Sequence, residues 1–205
     1  MSLQTNKAKI GDVSGGNYLD VESDGTIEFN GNATVWEDLR VSLERGKVAG
    51  GNVPTFAAVN GTSIYAYHFA ANDEIWFSVQ MPHAWKLGTT IYPHLHWMPT
   101  TDVDPSDNVR IILDYAWVNI GDDYPAPTTL TRDVPTGVNN AFNHRLHNFD
   151  DSGISGAGKT LSSVILCRFA RGTAAADNYA GDIVGMEIDF HYEIDTVGSR
   201  QITTK

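Results

Sequence analysis

The segment Ile183–Ile194 constrains this chain more than any other. Val184, Met186, Ile188, Phe190, Tyr192 and Ile194 alternate there with Glu187, Asp189, His191 and Glu193. That is the two-residue period of a strand with one apolar and one polar face; a helix would scatter the same apolar groups around its axis. Residues 109–118 repeat the pattern, with Val109, Ile111, Leu113, Tyr115 and Trp117 on one face. In residues 161–170 both faces are partly apolar (Leu161, Ile165 and Phe169 against Val164 and Leu166), which predicts a strand covered on both sides. Residues 63–69, 74–80 and 90–97 are further short runs of aromatic and β-branched residues. The expected core includes Ile111, Leu113, Tyr115, Ile165, Ile188, Phe190 and Tyr192.

Turns, not helices, separate these runs. Asn60-Gly61 and Ser23-Asp24-Gly25 are hairpin signals, and residues 102–108 and 121–137 are loops carrying Pro, Asp and Gly. Only residues 35–45 leave room for a helical turn. Many short strands with frequent turns predict an all-β fold, an antiparallel, jelly-roll-like β-sandwich. A length of 205 residues supplies a sizeable core without staples, and the single Cys167 excludes an internal disulfide. The net charge of −11 argues against nucleic acid or an anionic membrane as the main partner. No apolar run approaches membrane-spanning length, so the expectation is of neither a signal peptide nor a span.

The first 32 residues read differently. Residues 1–16 are polar, and residues 17–32 make a small ribbon that is marginal alone in water. The division expected is an N-terminal arm and hairpin over 1–32 and a sandwich domain over 33–205. Tyr18, Leu19, Val21, Ile27 and Phe29 form only short apolar strips, too little to offset about 1–2 kcal/mol of backbone entropy per ordered residue. They are therefore candidate interface residues.

The loudest motif is Gly153-Ile154-Ser155-Gly156-Ala157-Gly158-Lys159-Thr160, a full GxxxxGK[ST] match. A phosphate loop needs a buried strand before it and a helix after it. Here polar residues precede and a strand pattern follows, so the expectation is a glycine-rich turn that binds no nucleotide. His94 and His96 share one strand face, as do Asp189 and His191. If their strands were neighbours, the four would converge like a cupin-type metal site, although imidazole–carboxylate pairs across strands also serve ordinary hydrogen bonding. The expectation is no metal and no other cofactor, with these four as the candidates. His144 and His147, three apart, point to opposite faces of a strand. Cys167 stands in apolar company, no GxSxG elbow exists, and a solvated face explains Glu187, Asp189 and Glu193 as well as a glycosidase pair would. No catalytic residue is expected. Trp85, in Met81-Pro82-His83-Ala84-Trp85-Lys86, falls in a loop, where it is either an interface anchor or a residue folded back on the sandwich.

Several segments together resemble a known group. Ala33-Thr34-Val35-Trp36-Glu37-Asp38-Leu39-Arg40 is followed by 81–86, then by Tyr92-Pro93-His94-Leu95-His96-Trp97, Ile165-Leu166-Cys167-Arg168-Phe169 and finally 189–195. This series is similar to a group of small proteins encoded in the structural gene clusters of tailed phages and prophages, over roughly residues 18–200. The resemblance implies a non-enzymatic component of the virion, a capsid decoration, spike or fibre-associated subunit. Its partners would be other capsid or tail proteins, and it would form a homotrimer. The alternative is a carbohydrate-binding or glycan-processing module for host attachment, using loop aromatics and the His/Asp face.

Overall fold

Strand follows strand because the sequence alternates, turns, and alternates again. The computed structural model describes residues 8–137, 140–173 and 177–205. The N-terminal part holds β1 (Ala8–Asp12), β2 (Asn17–Val21) and β3 (Ile27–Asn30). Then come β4 (Val35–Ser42), β5 (Thr55–Ala58), β6 (Tyr65–Phe69), β7 (Glu74–Gln80) and β8 (Tyr92–Pro99). The remainder are β9 (Asn108–Val118), β10 (Thr128–Pro135), β11 (Arg145–Asn148), β12 (Val164–Arg171) and β13 (Ile183–Ile194). Helical geometry among the described residues is confined to single 3-10 turns at Gly31–Ala33, Leu43–Arg45 and Val59–Gly61.

All ladders are antiparallel. One sheet runs β10-β9-β12-β7; the facing one runs β11-β8-β13-β6-β5, with β4 also paired to β13. Leaving aside the β5–β6 hairpin, the eight strands β4 and β7–β13 form the orders β4-β13-β8-β11 and β7-β12-β9-β10. That is the connectivity of a jelly roll, in which nearly every link crosses between sheets. Leu95, Trp97, Ile188, Phe190 and Tyr192 of one sheet meet Ile111, Leu113, Ile165 and Phe169 of the other in one buried cluster. Phe69 and Phe169 touch edge to face across it, with ring centroids 5.0 Å apart. The expected core residues lie in this cluster, Tyr115 at its margin.

Three local expectations are corrected. First, β13 does not keep one apolar face along its length. Its register against β8 shifts between Gly185 and Glu187, a β-bulge that inserts a residue and flips the alternation. Ile183 and Gly185 therefore face the core on one side of the bulge, and Ile188, Phe190 and Tyr192 on the other. Val184 is buried outside that core, and Met186 is half-buried. Second, residues 35–45 hold a helical turn but are not alone in doing so, and most of them, 35–42, are strand β4. Leu39 and Val41 pack on the core opposite Phe190 and Ile188, and the helical turn is limited to Leu43–Arg45. Third, β12 is covered on one face only. Leu166 is 42% exposed, and beside it Arg168 pairs with Glu74 and Asp114 at the surface.

The N-terminal segment gains a strand that its polar sequence conceals. β1, β2 and β3 form a separate antiparallel sheet in that order, with β1 exposed throughout. Gly25, at φ +87°, turns the β2–β3 hairpin, a conformation open to glycine without strain. The sheet joins the body where Phe29 N–H donates to the Asp195 carbonyl at 2.6 Å and where Arg200 reaches Asp24.

Candidate functional site

The outer face of the β4-β13-β8-β11 sheet gathers the imidazoles. Core alternation turns Leu95 and Trp97 inward, which obliges His94 and His96 to point outward. On β13 the same rule sends Ile188, Phe190 and Tyr192 inward and Glu187, Asp189 and His191 outward. Register then places Asp189 directly opposite His94, Glu187 opposite His96 and, across β4, Asp38 opposite His191. The condition that these strands be neighbours is met.

Three of the four candidate groups converge. Asp189 Oδ2 lies 3.4 Å from His94 Nε2 and 3.1 Å from His96 Nε2. Asp189 is 4% and His94 7% exposed, so both are withdrawn from water. Each imidazole has a partner on its far side: His94 Nδ1 faces the Tyr92 carbonyl at 3.4 Å, and His96 Nδ1 faces His144 Nε2 at 2.8 Å. Asp189 Oδ1 is buried and makes no hydrogen bond. His191 meets the His94 ring edge-on, with centroids 6.3 Å apart, but directs its nitrogen elsewhere. Its Nδ1 bonds Asp38 Oδ1 at 2.7 Å, and its ring lies flat on Trp36, with centroids 4.9 Å apart and planes within 2°. Burial, then the neighbouring Asp189 carboxylate, raises the Glu187 carboxyl above its ordinary range against the opposing pull of Arg40.

Two participants stood outside the sequence's metal candidates, although the three-residue spacing already puts His144 and His147 on opposite faces. His144 precedes β11, and only parity with the outward-facing Leu146 links it to this face. Asp38 sat in a segment read as room for a helical turn, and the β4 register alone aims it at His191.

The remaining candidates are dispersed. Trp85 is fully buried, which overturns the interface-anchor expectation. Its loop folds back because Lys86 N–H bonds the Glu193 carbonyl at 2.8 Å and Lys86 Nζ reaches the Glu193 carboxylate. The indole then donates to Thr89 Oγ1 and lies against Trp117. Burial would raise the Glu193 carboxyl, but hydrogen bonds from Lys86 and Thr34 outweigh it and hold the group below its ordinary range. Residues 153–160 run as a loop into the start of β12. Lys159 Nζ donates to the Trp117 carbonyl at 2.8 Å, and a side chain at Gly156 would strike Trp85. This glycine motif thus serves packing, with no helix N-terminus behind it. Cys167 is buried, and desolvation pushes its thiol far up, away from nucleophilic chemistry. Tyr18, Leu19, Val21, Ile27 and Phe29 are all half-buried in the N-terminal sheet.

No protein-family model matches the chain. No curated protein matches it. Among solved structures, a chain in a structure of infectious bursal disease virus Gt strain is similar over 74% of this chain, at 10% identity and a TM-score of 0.25. This chain spans about half the length of that neighbour, 50% of it. A likeness of that size carries no argument about function.

Proposed function

We propose that this chain is a non-enzymatic structural subunit of a virus particle, held to its neighbours through the N-terminal sheet. The observation that carries the reading is the apolar face of that sheet. Register puts Ile10, Leu19, Val21, Ile27 and Phe29 on one side, and none of them is buried within the chain. Ile10 is 62% exposed. Covering such a face contributes roughly 25 cal/mol per Å² of apolar surface removed from water. β1 also lies at the edge of its sheet, where a neighbour's strand would find backbone partners. The resemblance of the motif series to tailed-phage structural proteins is what suggests the finer reading, a trimeric capsid decoration or a spike- or fibre-associated subunit.

The test is attachment. The full chain should bind particles or their isolated major proteins, and a chain starting at residue 33 should fold and fail to bind. Equal binding by both, or absence of the chain from mass spectra of purified particles, would defeat the reading. Light scattering giving a monomer would remove the trimer.

A second reading, a glycan-binding face, is favoured by one residue. Trp36 is 48% exposed and lies on His191 beside the outer histidines, the geometry of a stacking platform. Quenching of its fluorescence by soluble host glycans, absent in Trp36→Ala, would support this reading; unchanged fluorescence would remove it.

A further inference from the structure

We propose that His94 Nε2, His96 Nε2 and the carboxylate of Asp189 form a binding site for a divalent first-row transition ion, of which zinc is the reference case. The three donors lie within 4.8 Å of one another. The Nε2-to-Oδ2 separations of 3.4 and 3.1 Å bracket the edge of a tetrahedron with metal bonds of ~2.0–2.1 Å, about 3.3 Å. Each imidazole is therefore spaced from the carboxylate oxygen as two ligands of one ion are, and the third separation, between the imidazoles, lies within 4.8 Å.

Hydrogen-bond logic points the same way. His94 Nδ1 has only a carbonyl before it, so a hydrogen bond there places the proton on Nδ1 and leaves Nε2 with a lone pair. In the tautomer in which His96 Nδ1 donates to His144 Nε2, His96 is left in the same state; in the other, its Nε2–H donates to Asp189. In the first, two Nε2 lone pairs face a carboxylate oxygen, acceptor against acceptor, and a cation between them converts repulsion into coordination. This is the arrangement of histidine ligands fixed by a partner on the far ring nitrogen.

The independent observation is Asp189 Oδ1. It is a carboxylate oxygen without a hydrogen bond on a residue 96% withdrawn from solvent (4% exposed), and an unpartnered buried oxygen of this kind is costly. Hydrogen bonding between imidazoles and carboxylate accounts for Oδ2 and leaves Oδ1 to the neighbouring Glu187 carboxyl or to an ion; an ion held by both oxygens accounts for both. Two imidazoles and one carboxylate select a zinc-, iron- or nickel-like ion over calcium or magnesium, which take oxygen ligands. With one carboxylate oxygen bound, a tetrahedral ion keeps one position for water or an outside group; with both bound, that position requires expansion to five-coordination. His144 acts through His96 and is a positioning residue.

The experiment uses the full chain, stripped with chelator, titrated with Zn²⁺ by calorimetry and with Co²⁺ by visible absorption. One ion per chain is expected. His144→Ala should weaken binding about 10–100-fold, and His94→Gln or His96→Gln should weaken it further. Where a variant fails to fold, two-bond ¹H–¹⁵N spectra of the wild type decide, because the Nε2 resonances of His94 and His96 should move on zinc addition. Absence of saturable binding, binding retained by the folded double variant His94→Gln/His96→Gln, or Nε2 resonances unmoved at saturating zinc would each overturn the proposal. Particle attachment through the N-terminal sheet is read separately and survives any of these results.

Discussion

The two faces of the β4-β13-β8-β11 sheet are made by the same four strands and share almost nothing else. Inward, Leu95, Trp97, Ile188 and Phe190 are fully buried and fill the sandwich. Outward, one residue along each strand, His94, His96, Asp189 and His191 form a band of imidazole and carboxylate. The inner face determines whether the sheet exists; the outer face uses its rigidity. Chemistry-bearing groups are commonly placed on loops, whereas here they stand on the most heavily paired strands, so their spacing is fixed by the ladder itself. What differs between the faces is tolerance to change.

Four measurements break or sharpen that contrast. Phe190→Ala on the inner face should cost about 3–5 kcal/mol in urea denaturation, the lost burial plus the cavity left behind. A cost below 1 kcal/mol would show that the two sheets are not packed through this ring. Gly185→Ala comes next, because its new methyl would sit 2.7 Å from Leu43 Cδ1 and from Phe69 Cε2 beside the bulge. Overpacking of about 1–3 kcal/mol is expected, read as a lower thermal midpoint. Full stability would mean that the bulge is free to shift.

The third concerns the histidine of β11, which lies opposite Leu95. His147 Nδ1 accepts the Trp97 indole N–H at 3.1 Å and must be neutral to do so. Burial, then the positive charges of Arg132 and Arg145, lowers its pKa from the usual 6.5. The unfolded chain therefore binds this proton more readily, and stability should be full above pH 6.5 and decline as the pH falls below it. His147→Gln, which accepts the same hydrogen bond without titrating, should flatten that slope; an unchanged slope would assign it elsewhere. The smallest effect belongs to the outer face. The Asp38–His191 pair is partly exposed, and a double-mutant cycle at pH 6 should return about 0–1 kcal/mol. A much larger coupling would erase the distinction between the faces.

The sandwich was legible because Ile183–Ile194 and residues 109–118 alternate over many residues, a signal that no helix produces. The bulge was not. Val184 and Met186 continue the alternation in sequence, and only the pairing with β8 shows that the frame slips before Ile188. The candidate site was half legible. His94 with His96 and Asp189 with His191 read as two same-face pairs, but period-two spacing gives a face without giving a neighbour. Register, a long-range property, decided that Asp189 rather than His191 meets the histidines. Trp85 misled because a loop position in sequence says nothing of whether the loop folds back, and here Lys86 and Glu193 make it do so.

The position of β13 has a consequence for how the molecule is made. It is the last of the described strands to leave a ribosome, yet β4 takes its ladder from it, and β6 and β8 each take one of their two. The four-stranded sheet is fully specified once residue 171 has been synthesised. Its partner sheet, by contrast, waits with bare edges on strands that vectorial synthesis has already released. Closing it joins residues as distant as Asp38 and His191, 153 positions apart, the kind of non-local pairing that slows folding and leaves strand edges open to misassociation. The histidines of β8 therefore meet their carboxylate last, since Asp189 arrives with the strand that shuts the sheet.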